Sequence, residues 1–139
     1  MKINRHIKKV AVIGSGIMGS RIACHFANIG VEVLLLDIVP FDLTEEQLKD
    51  KSIRNSIVND ALKSTLKSKP SPIYSKEFIS RIDTGNLDDD LHKIADVDWI
   101  IEVVVERLDI KKQVFEKIEK FRKDGTLISS ILQEFLLKV

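Results

Sequence analysis

Three glycines and an aspartate are the residues whose spacing could do chemistry. Gly14, Gly16 and Gly19 stand in the run Gly14-Ser15-Gly16-Ile17-Met18-Gly19, directly after a short apolar stretch and at the start of a helical pattern. This is G-x-G-x-x-G in the context where it serves a diphosphate, between a strand and a helix. Gly14 permits the tight turn, and Gly16 lets the backbone approach a diphosphate with no Cβ in the way. Gly19 lets the helix pack close to the strands. Main-chain N–H groups of the loop residues Ser15, Ile17 and Met18, with the positive end of the helix dipole, then face the anion. Asp37 follows Gly19 by 18 residues, close to the roughly 20 expected of the acid that accepts the ribose hydroxyls of a dinucleotide. A carboxylate there repels a 2′-phosphate, and Ile38 follows where an arginine would receive one. The pattern therefore favours NAD over NADP. Two other readings of the hexapeptide stand beside it: a purely structural strand-to-helix turn, and an FAD site.

The elements that must hold these residues can be read from periodicity. Lys8–Ile13 and Val31–Leu36 are short apolar runs with the look of buried parallel strands, joined by a helix from Ile17 to Ile29 that ends at Gly30. Together they form one βαβ unit. Asp42–Lys69 has apolar residues at helical intervals (Leu48, Ile53, Ile57, Ala61, Leu62, Leu66) and predicts one long amphipathic helix, broken at Lys69-Pro70-Ser71-Pro72. Phe78–Ile82 predicts a short strand before Thr84-Gly85, and Asp98–Val105 a strong buried one. Ile110, Val114, Ile118 and Phe121 mark a further helix ended by Asp124-Gly125, and Thr126–Ser129 a last strand. The expected fold is α/β: a Rossmann-type, doubly wound, mainly parallel sheet with an inserted long helix or helical hairpin at about 42–79.

Composition narrows the function classes. The chain has 139 residues, 44% apolar, with 22 basic and 21 acidic residues and a net charge of +1. So balanced a charge leaves no electrostatic footprint for nucleic acid or a membrane surface. The longest apolar runs are far shorter than a bilayer-spanning helix, and Met1–Val10 lacks the apolar core of a secretory signal. One cysteine, Cys24, permits no internal disulfide, so a reducing cytoplasm is expected. Its neighbours Ile22, Ala23, Phe26 and Ala27 make it a packing thiol rather than a nucleophile. His6, His25 and His92 share no catalytic or metal-ligand spacing, and no metal site is expected.

Lys9-Val10-Ala11-Val12-Ile13-Gly14-Ser15-Gly16-Ile17-Met18-Gly19 resembles the opening of the NAD-dependent L-3-hydroxyacyl-CoA dehydrogenases of fatty-acid β-oxidation. On its own it also suits β-hydroxyacid dehydrogenases. The more specific match is Asp98-Trp99-Ile100-Ile101-Glu102-Val103-Val104-Val105-Glu106-Arg107-Leu108-Asp109-Ile110-Lys111, which resembles that family's fourth strand and following loop. The resemblance implies reversible hydride transfer between NAD and C3 of a 3-hydroxyacyl-CoA. It implies that Glu106 is the loop acid beside the nicotinamide half of the site and that Lys111 lies near the bound dinucleotide. A solvated helix start is the plainer reading of both, and Glu102 reads as a strand-end residue of structural use. Ser56 and Lys63 resemble the pair that touches CoA, although the surrounding lysines are also ordinary surface charges.

The resemblance further implies an NAD-binding domain over residues 1–130. The catalytic histidine–glutamate pair and a helical dimerisation domain are expected beyond it, so no catalytic residue is expected within the chain. Ile131–Val139 departs from the family's Asn-Thr-Ser continuation. Removing one nucleotide before codons for Asn-Thr-Ser-Gly-Ile-Pro-Ile yields Ile-Leu-Gln-Glu-Phe-Leu-Leu, the residues at 131–137, so a frameshifted tail is one reading. The other is an ordinary terminal helix with Leu132, Phe135, Leu136 and Val139 on one side. The coding DNA separates the two. Three functions follow as expectations: the NAD-binding portion of a 3-hydroxyacyl-CoA dehydrogenase, inactive alone; a non-catalytic dinucleotide-binding module completed by a partner chain; or a dehydrogenase of small β-hydroxyacids. Expected partners are an acyl-CoA in the parent enzyme and a second copy of the chain, through apolar surface left for a missing domain.

Overall fold

The computed structural model describes residues 6–103 and 108–131, and only the backbone of residues 108–111. Five strands form one sheet in the order β3-β2-β1-β4-β5, and every neighbouring pair runs parallel. The strands are β1 (Lys9–Ile13), β2 (Glu32–Asp37), β3 (Ile82–Asn86), β4 (Trp99–Glu102) and β5 (Leu127–Ser130). Chain order reverses between β1 and β4, so the carboxyl ends of those strands border the crevice where open α/β sheets receive ligands.

β1 and β2 are apolar at consecutive positions because both faces of the sheet are covered. On one face Val10, Val12, Val33, Leu35 and Ile101 meet Ala23, Cys24 and Ala27 of α1 (Ile17–Asn28) and Val58 and Leu62 of α4 (Ser56–Lys67). On the other, Ala11, Ile13, Leu34, Leu36 and Ile100 meet Val114 and Ile118 of α5 (Leu108–Phe121) and the 3-10 segment Leu91–Asp96. Two apolar layers, one sheet between them, give the doubly wound form.

α1 ends as its sequence predicts. Gly30 adopts φ +87°, its N–H donates to the Ala27 carbonyl, and Val31 N–H donates to Phe26. This is a Schellman closure, and the left-handed conformation suits glycine.

Two expectations fail. The stretch read as one helix from Asp42 to Lys69 is three: α2 (Glu45–Leu48), α3 (Lys51–Arg54) and α4. Local capping wins over periodicity here. Thr44 and Gln47 form a capping box that starts α2, and Asp50 restarts the chain by accepting from the amide and hydroxyl of Ser52. Asn55 closes α3 and opens α4, with its side chain bonded elsewhere. The second failure is Phe78–Ile82, which is not a strand. Lys76–Arg81 is a 3-10 segment, and β3 begins at Ile82 and runs through Thr84-Gly85. Glycine suits position 85 of this strand for a steric reason: a Cβ there would meet the Asp90 carboxylate at 2.5 Å. β4 runs only from Trp99 to Glu102, so Asp98 and Val103 of the expected strand lie outside it; residues 104 and 105, the loop residue Glu106 and residues 132–139 fall outside the described residues.

Candidate functional site

The glycine loop divides its tasks as the pattern requires. Gly14 has φ +105°, a conformation that side-chain-bearing residues avoid, and its N–H donates to the Leu36 carbonyl at 2.8 Å. A Cβ on Gly19 would sit 1.8 Å from the Gly14 carbonyl oxygen, so helix and loop are in backbone contact. A Cβ on Gly16 would meet nothing within 4 Å. Open space therefore lies above Gly16, at the N-cap of α1. No side chain caps that terminus, and no acidic residue stands in its first turn. Its N–H groups and dipole are left to an external anion.

Ser15, only 1% exposed, is held under the loop. Its amide and hydroxyl both donate to Oδ2 of Asp37, at 2.8 and 2.6 Å, while Ile38 N–H donates to Oδ1 at 2.7 Å. The end of β2 and the glycine loop are thus tied by one carboxylate. The tie leaves an Oδ1 lone pair available to a further donor.

Gly14 to Gly19 and Asp37 line one cleft of about 700 Å³, and Ile38, Phe41, Leu87, Leu91 and Val114 make its remaining wall largely apolar. That volume is in the range of small-molecule and cofactor sites. Asp88 and Lys117 also border it and are its further charged groups among the described residues. Sequence reading missed Phe41, Leu87, Asp88 and Lys117. The signals available were an aromatic just beyond Asp37 and Pro40, and a turn of three aspartates after a strand.

A partly buried polar knot adjoins that wall. Asn86 accepts from the amides of Asp88 and Asp89 and donates to Asn55 at 2.7 Å and Asp89 at 2.9 Å. Arg54 grips Asp89 with two hydrogen bonds of 2.8 Å, and this holds the Asp89 carboxyl at about 2, well below its usual range. Asp90 accepts from Asn86 N–H at 3.0 Å and pairs with Lys93 at 2.9 Å; these bonds keep its pKa below the ordinary value although burial opposes them. The network fastens the α3–α4 junction to the carboxyl end of β3.

Of the remaining sequence candidates, Ser56 and Lys63 lie apart from the cleft. Lys111 is on α5, where only its backbone is described, and Glu106 is outside the described residues. Ser56 opens α4 beside Asn55, and Lys63 is exposed two turns later; neither lines the cleft. Asn55 bonds Asn86 while Asn59 bonds Thr84, so α4 runs away from the carboxyl end of β3 and carries Lys63 with it. Glu102, fully buried at the end of β4, accepts a short hydrogen bond from the Ser130 hydroxyl. Cys24 is buried, and that burial raises its pKa against the opposing charge of Arg21. His6, His25 and His92 are exposed and off the cleft. Among the described residues there is no cluster of metal-ligating side chains and no helix long and apolar enough to cross a membrane.

The sheet order and the glycine cradle define a Rossmann-type dinucleotide-binding domain. A family profile described as "3-hydroxyacyl-CoA dehydrogenase, NAD binding domain" matches residues 9–132, and the chain belongs to this family of NAD-binding domains. It is 51% identical over 134 residues to a probable 3-hydroxyacyl-CoA dehydrogenase of Bacillus subtilis, covering 92% of this chain and 17% of the relative. A protein of the same description from Deinococcus radiodurans is 44% identical over 124 residues, covering 89% and 34%. The crystal structure of 3-hydroxybutyryl-CoA dehydrogenase from Escherichia coli is similar at 28% identity and a TM-score of 0.57, over 90% of this chain and 24% of that one. The chain thus spans about a sixth to a third of the length of the two curated relatives.

Proposed function

We propose that this chain is the NAD-binding portion of a 3-hydroxyacyl-CoA dehydrogenase acting in fatty-acid β-oxidation, where hydride passes between NAD and C3 of the acyl-CoA. The observation that carries the reading is the convergence of an open Gly16, an uncapped α1 terminus and Asp37 on one cleft. The Gly16 backbone and the first N–H groups of α1 bind the diphosphate. Asp37 accepts from a ribose hydroxyl through Oδ1, and Ser15 holds that carboxylate in place. Bound there, the nicotinamide supplies the hydride acceptor. Removing the hydroxyl proton needs a positioned base, and the three histidines lie off the cleft. We therefore assign the described residues the cofactor half of the reaction and proton transfer to other groups.

Glu106 and Lys111 are proposed to complete the dinucleotide site, and Ser56 and Lys63 to contact CoA. The whole enzyme is proposed to be cytoplasmic, a location that suits the buried Cys24 thiol, and to assemble with further copies or domains. Calorimetric titration with NADH, NADPH and acetoacetyl-CoA tests the reading. NADH is expected to bind well ahead of NADPH, and the CoA ester to bind measurably. No affinity for NADH overturns the proposal. Affinity for NADH without any for the CoA ester favours a small β-hydroxyacid as substrate.

A further inference from the structure

We propose that Phe41 is the platform on which the adenine ring of the cofactor stacks; the inference rests on the dinucleotide reading of the same cleft. Phe41 is 76% exposed although it borders that cleft. An aromatic ring left in water at the lip of a ligand site is surface that a flat ligand can cover.

Its place along the chain selects the adenine over the nicotinamide. Phe41 follows by four residues the carboxylate that faces the ribose hydroxyls, and adenine is the ring attached to that ribose. The glycine loop is bonded to the same Asp37 carboxylate through Ser15. Much of the rest of the cleft lining is aliphatic. Ile38 packs on a cluster containing Leu87, Leu91 and Val114, all four of which line the cleft, and Leu87 N–H bonds the Asp37 carbonyl at 2.9 Å. A flat, uncharged base is the part of a dinucleotide that suits a cleft lined by aliphatic side chains and an exposed aromatic ring. Pro40 before the ring, and Asp42 after it at φ +60°, give the loop a defined course.

The test compares the wild type with Phe41→Ala and Phe41→Tyr, titrated with NADH and with 1,N6-ethenoadenosine diphosphate, whose fluorescence reports stacking. Since Phe41 is exposed, both variants are expected to melt with the wild type. Phe41→Ala should weaken NADH about five- to tenfold, the lower end of what base–aromatic stacking delivers, and abolish the quenching of the etheno base. Phe41→Tyr should retain both. The inference is overturned if Phe41→Ala stays within about twofold of the wild type, or if Phe41→Tyr loses as much as Phe41→Ala. Failure of the wild type itself to bind NADH would instead remove the dinucleotide reading beneath it.

Discussion

Ser15 places both its amide and its hydroxyl on Oδ2 of Asp37, at 2.8 and 2.6 Å. With Ile38 N–H on Oδ1, three of the carboxylate's roughly four acceptor positions are filled from within the protein. The acid proposed to face the cofactor is therefore also the acid that holds the glycine loop. Asp37→Asn should weaken NADH about tenfold, the scale of a lost charged hydrogen bond. NADPH should weaken less or gain, because the charge that repels its 2′-phosphate is gone. Paired titrations check the ratio, and an unchanged ratio would remove Asp37 from cofactor choice.

Gly16 and Gly19 should separate binding from folding. Gly16→Ala adds a methyl to open space, so its melting temperature should match or slightly exceed the wild type while NADH affinity falls at least tenfold. Gly19→Ala drives a Cβ to within 1.8 Å of the Gly14 carbonyl, and overpacking of this kind costs about 1–3 kcal/mol or more. Thermal melts beside NADH titrations distinguish the two. Equal loss of stability in both variants would contradict the geometry.

The Arg54–Asp89 pair gives stability a defined acid limb. Asp89 has its pKa lowered from 3.8 to about 2 in the fold, so between those values the unfolded chain binds more protons than the folded one. Its contribution is complete above about pH 4 and disappears as pH falls through about 2. Both side chains are partly exposed, so Arg54→Gln should lower the melting temperature at pH 7 by no more than about 3 °C. The gap between variant and wild type should close as pH falls through that window. A gap unchanged down to pH 2 would show that Arg54 acts through packing.

Cys24 should be inert in the folded protein. It is fully buried, and burial raises its pKa. A disulfide reagent at pH 8 should modify it at least a hundredfold more slowly than in denaturant, since both access and thiolate are withheld. Rapid modification of the native chain would contradict its placement on the buried face of α1.

The βαβ core was legible because each residue there answers to one dominant local demand. Apolar runs at Val10–Ile13 and Val33–Leu36 can only be strands buried on both faces. Gly30 can close a helix in a conformation other residues avoid. The glycine cradle and Asp37 were legible for the same reason: the chemistry demands absent side chains and one acid at a fixed interval. The Asp42–Lys69 stretch was misread because Thr44 and Asp50 make local capping hydrogen bonds, and Asn55 bonds across to Asn86, none of which apolar periodicity registers. β3 was misplaced because the place of Gly85 depends on Asp90 folding back over it.

Sequence alone determined the strand–loop–helix cradle, since backbone freedom and charge are properties of single residues. Tertiary structure alone decided which wall faces that cradle. The knot of Asn55, Asn86 and Asp89 joins residues more than thirty positions apart, and it sets the loop bearing Leu87 and Asp88 against the Asp37 end of β2. Such contacts follow from the register of parallel strands and the packing of helices on both faces, which no local pattern encodes.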